Sequence, residues 1–134
     1  MHEKHIEIRW GDLDAYGHVN NAVYLSYLEA ARLEWIQRTF GGLEDLRGFV
    51  LVRLAIDFRR ELNQSDERIV ASCQPRRLGT SSITMREAVR TSLDEIAAEA
   101  ETVIVARDVR SGRSRALSAQ ARMAVEAQLP SAGL

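Results

Sequence analysis

Residues 12–32 read DLDAYGHVNNAVYLSYLEAAR, a polar loop that runs straight into an apolar helix. Asp12 to Asn21 hold two aspartates, a glycine, a histidine and two asparagines. From Asn21 or Ala22 to about Phe40, Val23, Tyr24, Tyr27, Leu28, Ala31, Trp35 and Ile36 recur at steps of three and four residues, the spacing of one helix face. Leu25, Ala30 and Leu33 widen the apolar surface to most sides, the pattern of a helix buried in a core. Asn20 or Asn21 can cap its start, and Gly41-Gly42 ends it.

The flanking segments read as strands. HIEIRW (residues 5–10) alternates Ile6, Ile8 and Trp10 against Glu7 and Arg9. In FVLVRLAIDFRR (residues 49–60) Val50, Val52, Leu54, Ile56 and Phe58 share one predicted face, and Arg53, Asp57 and Arg59 the other. NQSDE (residues 63–67) reads as a turn, and RIVASCQPRR (residues 68–77) as a strand in which Pro75 marks an edge or a bulge. Leu78-Gly79-Thr80 turns the chain into SSITMREAVRT (residues 81–91), a further strand. Ile96 to Val109 is read as one long strand, with a helix in its first half as the alternative, and Ser111-Gly112 supplies a hairpin-type turn. Ser118 to about Glu126 forms a short helix capped by Ser118. A strand, a long helix and a run of strands joined by short turns predict an α+β fold: an antiparallel sheet of five or six strands curled around one central helix. An open sheet edge in such a fold predicts pairing with a second copy.

The 134 residues make one domain, residues 1–134, with 46% hydrophobic and 28% charged residues, ordinary values for a soluble globular protein. A chain of this length buries roughly 68–70% of its unfolded surface and folds without a metal or disulfide staple. A net charge of -1 gives no general case for nucleic acid or membrane as partner. One cysteine, Cys73, rules out an internal disulfide, and no apolar run has the length of a signal peptide or membrane span. The expectation is a soluble, cytoplasmic domain.

The loop has the parts of a reactive site. The first amides of a helix lack internal partners and carry positive partial charge, so they can polarise a carbonyl or hold an anion. Gly17 lets backbone approach a ligand closely, and Asp12 or Asp14 can stand beside the polarised position. A carboxylate facing a polarised carbonyl suits acyl transfer, as nucleophile or as general base for water. Asp12, Asp14, Asn20 and Asn21 are equally turn formers and caps, and His18 is a base, a ligand or a structural donor.

The pattern D-x-D-x-x-G-H-V-N-N followed by Y-x-x-Y-x-E-x-A-R is matched by Asp12, Asp14, Gly17, His18, Val19, Asn20 and Asn21, then Tyr24, Tyr27, Glu29, Ala31 and Arg32. It resembles the signature of hotdog-fold acyl-CoA thioesterases of the 4-hydroxybenzoyl-CoA thioesterase superfamily. The resemblance implies a long helix wrapped by an antiparallel sheet, subunits joined edge to edge as a homodimer or dimer of dimers, and active sites at the subunit interface. It implies Asp14 as the catalytic carboxylate, backbone amides of Tyr16, Gly17 and His18 as donors to the thioester carbonyl, and an acyl-CoA or acyl-carrier-protein substrate with no cofactor. Plant acyl-carrier-protein thioesterases share HVNN but have asparagine at the position of Tyr16, so a mechanism built on that asparagine does not apply.

Around this core, Tyr24 and Tyr27 pack in the interior or line an acyl pocket, and Glu29 and Arg32, three apart, can pair with each other. The phosphates of CoA call for arginines, which PRRLGTSS offers as Arg76 and Arg77 with Ser81 and Ser82, with Arg86 and Arg90 on the next strand. His2 and His5 have only a superficial metal spacing, and no metal site is expected. Cys73 reads as a packing residue. Two rival readings are a hydroxyacyl dehydratase of the same fold, which uses a histidine with an acidic residue on the central helix, and a non-catalytic acyl-thioester binding protein.

Overall fold

The computed structural model of the chain describes residues 1–130. Its elements are β1 (His2–Glu7), α1 (Asn21–Phe40), β2 (Phe49–Phe58), β3 (Arg68–Leu78), β4 (Ser82–Thr91), β5 (Ile96–Ala106) and α2 (Ala119–Glu126). All neighbouring strands are antiparallel, in the order β1-β3-β4-β5-β2, so β1 and β2 are the two edges. This is the expected α+β architecture with five strands, and a second helix joins α1 on the sheet. No helix among the described residues is long and apolar enough to cross a membrane.

Helix α1 begins where predicted, and of the two asparagines it is Asn20 that caps it: its side-chain oxygen accepts from the Ala22 amide at 2.9 Å. Tyr24, Tyr27, Leu28, Ala31, Arg32, Trp35, Ile36 and Phe40 form the buried stripe, which packs along β1, β3 and β4. The apolar surface does not run round the helix as expected, because Leu25 and Leu33 face outward, Leu33 at 57% exposure. Two clusters make up the core. Under the first half of α1, Tyr24, Tyr27 and Leu28 meet Val19, Leu62, Ile69, Ala71 and Val89. Under the second half, Trp35, Ile36 and Phe40 meet Cys73, Ile83, Met85 and Ile104, closed off by Ala121 and Val125 of α2. Ser118 caps α2 as predicted, accepting from the Ala121 amide.

Several strand boundaries differ from expectation for local reasons. The first strand occupies His2–Glu7 rather than residues 5–10, because Asp12 folds back to accept the Arg9 amide at 3.0 Å and turns Trp10–Asp12 into a 3-10 helix. Trp10 thereby leaves the face of Ile6 and Ile8 and is 84% exposed. In β2 the register to β5 shifts between Leu51 and Arg53, so Val52 is an extra, bulged residue. The bulge splits the expected face: Val50 lies opposite Val105, whereas Leu54, Ile56 and Phe58 lie opposite Thr102, Ala100 and Ala98 on the side of α1. Pro75 does mark a bulge, between Pro75 and Arg77, although β3 is an interior strand. β5 stops at Ala106 because the Asp108 carboxylate takes the amides of Arg110 and Ser111 and bends the chain into the turn at Gly112. The helix alternative for its first half is absent; Ile96 begins a strand paired with β4.

Between the two clusters, Arg32 of α1 reaches Glu87 of β4 at 2.8 Å, and Thr102 of β5 donates to the other Glu87 oxygen at 2.9 Å. All three side chains are buried. The expected partnership of Arg32 with Glu29 does not form, and Glu29 is exposed. Burial, the largest influence, pushes the Glu87 carboxyl above the ordinary carboxylate range, while Arg32 and Thr102 pull it back. The pair therefore works mainly by cancelling two burial costs. Glu87→Gln leaves the guanidinium buried without its counter-charge and is expected to lower unfolding free energy by about 3–5 kcal/mol in a urea titration. Replacing both partners (Arg32→Met with Glu87→Leu) is expected to recover most of that loss, and a double variant as unstable as the single one would contradict the cancellation.

Candidate active site

The two aspartates of the D-x-D loop take opposite roles. Asp12 is buried, and its Oδ2 accepts from the Tyr27 hydroxyl at 2.8 Å and the Arg9 amide at 3.0 Å. The Arg9 guanidinium lies 3.5 Å from its Oδ1. Burial and the bond to Asp12 push the Tyr27 phenol well above its usual range, so it stays a proton donor to that carboxylate. Asp12 and Tyr27 thus tie the loop to α1, and Tyr27 sits in the core rather than lining a pocket.

Asp14 is only half-buried and sits in a turn built around its own side chain. Its Oδ1 accepts from the Tyr16 amide at 2.9 Å and the His18 amide at 3.2 Å. Its backbone carbonyl takes the Gly17 amide at 3.1 Å, and its amide donates to the His18 carbonyl at 2.8 Å. Gly17 closes the turn at φ +83°, a conformation costly for any residue with a Cβ. The three amides read from the sequence as donors to a substrate carbonyl are therefore spent inside the loop. What this arrangement leaves is Asp14 Oδ2, which makes no hydrogen bond among the described residues.

The next chain segment completes the surroundings. Leu13 bridges Val19, the Val19 amide donates to the Leu62 carbonyl at 2.7 Å, and His18 bridges Asn63. His18 Nε2 lies 3.2 Å from Glu61 Oε2, a partner that nothing in the sequence pattern singles out. Tyr24 holds this segment by donating to the Arg60 carbonyl at 3.0 Å and accepting from the Leu62 amide at 3.1 Å. Its ring meets Phe58 edge-on, with centroids 5.2 Å apart. Burial, foremost, raises the Tyr24 phenol above its usual range. Asn21, Tyr24, Phe58, Arg60 and Glu61 line a cleft of about 160 Å³ at the start of α1. Asn21, which does not cap, and Tyr24 are therefore wall residues.

The expected CoA ligands lie elsewhere. Arg76 and Arg77 are exposed at the β3 bulge, and Ser81 and Ser82 belong to the β3–β4 hairpin, where the Gly79 amide donates to the Ser82 carbonyl. That hairpin sits by α2, with Arg122 donating to the Gly79 carbonyl and the Leu117 amide to the Thr80 carbonyl. It is beside the second core cluster, whereas the Asp14 loop is beside the first; α1, which joins the two ends, is about 30 Å long at ~1.5 Å per residue. One chain does not bring Asp14 together with Arg76, Arg77, Ser81 and Ser82. Arg86 pairs with Glu99, and Arg90 with Asp94. Burial pushes the Cys73 thiol up to about 12, and its one hydrogen bond among the described residues goes to the Ala31 carbonyl, which suits packing and not nucleophilic chemistry. His2 pairs with Glu34 at 3.0 Å. Among the described residues no three histidine, cysteine or carboxylate side chains gather as metal ligands would.

A half-exposed carboxylate with one oxygen anchored and the other free is equipped to attack or to take a proton from water. Known proteins carry the same architecture. The family model of the thioesterase-like superfamily matches residues 8–129. The chain is 30% identical over 124 residues to the long-chain acyl-CoA thioesterase FadM of Escherichia coli K12, covering 90% of this chain and 94% of FadM. A thioesterase of Thermus thermophilus, solved in complex with coenzyme A and zinc, superposes with a TM-score of 0.84 at 33% identity, over 94% of this chain and 92% of that one. The PA5185 protein of Pseudomonas aeruginosa PAO1 does so with a TM-score of 0.82 at 30% identity, over 98% and 94% of the two chains. The chain belongs to the thioesterase-like superfamily and is a thioester hydrolase with the hotdog fold.

Proposed function

We propose that the protein hydrolyses an acyl-CoA thioester to a free acid and CoA, with Asp14 as the reacting carboxylate. The observation that carries this reading is the division of its two oxygens: Oδ1 held by two amides, Oδ2 free. As general base, Oδ2 takes a proton from water as the oxygen adds to the thioester carbonyl. Collapse of the tetrahedral adduct expels the CoA thiolate, which recovers the proton. As nucleophile, the same oxygen adds to the carbonyl, the thiolate leaves, and water cleaves the resulting anhydride. Both routes start from one geometry, and neither calls for a cofactor, since CoA is part of the substrate.

Because Tyr16, Gly17 and His18 spend their amides on Asp14, polarisation of the carbonyl falls to the start of α1. Asn21 is its first residue and lines the neighbouring cleft, where the helix end is positive. His18, paired with Glu61, shapes the turn. The D-x-D loop argues against a dehydratase that uses a histidine with an acidic residue on the central helix, and His18 pairs with Glu61 rather than with a carboxylate of α1.

The working unit is a homodimer, or a dimer of such dimers, joined through β2. The two sheet edges differ in kind. β1 presents Glu3, Lys4, His5 and Glu7, charges that discourage a further strand. β2 is nearly all apolar, with Leu51, Val52 and Phe58 exposed, Phe58 at 45%.

Two measurements test this reading. Asp14→Asn keeps an oxygen to accept the Tyr16 and His18 amides, so the loop stays folded while the reacting carboxylate is lost. Free-thiol release from a panel of acyl-CoA substrates is expected to show kcat reduced about 10²–10⁴-fold with the melting temperature unchanged. Undiminished turnover would remove Asp14 from the chemistry, and a wild-type protein inert on acyl-CoA and acyl-carrier-protein thioesters alike would make it a binding protein. In sedimentation the wild type is expected to run as a dimer or tetramer, and Val52→Lys, which plants a charge on the apolar edge, to run as a smaller species with parallel loss of activity. An active wild-type monomer would refute the shared site.

A further inference from the structure

The cleft at the start of α1 is closed from below by a part that cannot easily yield. Tyr24, 2% exposed, is its deepest lining residue. Its hydroxyl is held on both sides, donating to the Arg60 carbonyl at 3.0 Å and accepting from the Leu62 amide at 3.1 Å. Swinging the ring aside would leave that amide, on a residue with no exposed surface, without its partner. Tyr24 packs in turn on the first core cluster, where Leu62, Ile69, Ala71 and Val89 are fully buried. Phe58 meets the Tyr24 ring edge-on at 5.2 Å and is exposed, so it is the movable apolar wall. The remaining lining is polar: Asn21, and then Arg59, Arg60 and Glu61, which pair with Glu99, Asp66 and His18 at 3.3, 3.1 and 3.2 Å.

We propose that the acyl group accepted beside Asp14 is a short chain, of no more than about six carbon atoms, and that Phe58 sets this limit. The identity of the ligand as an acyl thioester rests on the hydrolase reading above; the size limit rests on the cleft. With its carbonyl at the amides that open α1, an acyl group extends past Asn21 onto the two apolar residues of the lining, Tyr24 and Phe58. The volume of about 160 Å³ takes about five or six non-hydrogen atoms at ~30 Å³ per water-sized group. That is well below the ~300–1,000 Å³ of clefts that hold larger ligands. A longer chain has to run on over Arg59, Arg60 and Glu61, and methylenes that strip water from charged groups offer them no hydrogen bond in return. A partner copy at the β2 edge adds walls beside these residues and removes none of them.

The test measures kcat/KM on straight-chain acyl-CoA substrates from acetyl to palmitoyl for the full-length wild type, Phe58→Ala and Phe58→Trp. For the wild type it is expected to rise about fourfold with each carbon up to butyryl- or hexanoyl-CoA, the gain of one buried methylene. By decanoyl-CoA it is expected to have fallen about tenfold or more. Phe58→Ala, which removes the movable wall, is expected to raise the ratio of kcat/KM for decanoyl- over butyryl-CoA about tenfold or more, and Phe58→Trp to move the optimum to a shorter chain. A variant that only loosened the β2 pairing would lower every substrate in proportion, so an unchanged ratio in Phe58→Ala overturns the role of Phe58. A wild type whose kcat/KM keeps rising through palmitoyl-CoA overturns the size limit. Failure to cleave a thioester of any length refutes the hydrolase reading, and calorimetric titration with the straight-chain acids, acetate to decanoate, then reads the cleft by itself. Affinity that levels off by about six carbons supports the limit, and affinity that climbs through decanoate refutes it.

Discussion

The contact between Arg32 and Glu87 constrains the rest of the molecule because neither charge has another buried partner of opposite sign. Arg32 lies near the middle of α1 and Glu87 near the middle of β4, with Thr102 of β5 completing the group. Sliding the helix by one turn, about 5.4 Å, would leave both charges desolvated and separated. Apolar packing alone would tolerate such a slip more readily, since the clusters on either side are built from interchangeable contacts between aliphatic and aromatic side chains. The ion pair thus fixes where along the sheet the helix begins. That position decides where Asn20 caps and where the D-x-D loop closes.

From that anchor the loop is built in two steps of opposite chemistry. Asp12 is drawn inward by Tyr27, one helical turn before Ala31 and Arg32, and its carboxylate is saturated by donors. Asp14 is kept outward by amides of its own turn, and its carboxylate is half saturated. The two residues between the loop and the sheet that matter most, Tyr24 and Leu62, share a hydrogen bond and lie in the first core cluster. A half-exposed carboxylate on a loop is in this way given the positional stability of the core without being buried in it.

Local rules made much of this legible in the sequence. The helix from Asn21 to Phe40, the asparagine and serine caps, the bulge at Pro75 and the turn at Gly112 all follow from residues within a few positions of one another. What the sequence did not reveal are contacts across long separations. Arg32 sits beside Glu29 in the chain, yet its partner comes from β4, 55 positions away. Glu61 reaches His18 only because the segment after β2 pairs with the loop. The Val52 bulge is invisible to a period-2 pattern, since every residue from Phe49 to Val52 is apolar and either face reads equally well. Trp10 departs from the expected strand because an aspartate two residues on pulls the chain out of it. The direction of three amides is set by whether a neighbouring carboxylate claims them, which spacing alone does not encode.

The separation of charge along the molecule gives the fold a further logic. The start of α1 holds the half-free carboxylate, while the opposite end of the sheet gathers Arg76 and Arg77 at the β3 bulge and Arg107 and Arg110 just past the end of β5. Within one chain these ends are kept apart by the length of the same helix that the ion pair fixes. Guanidinium groups close to Asp14 would occupy its second oxygen, so this distance leaves that oxygen open.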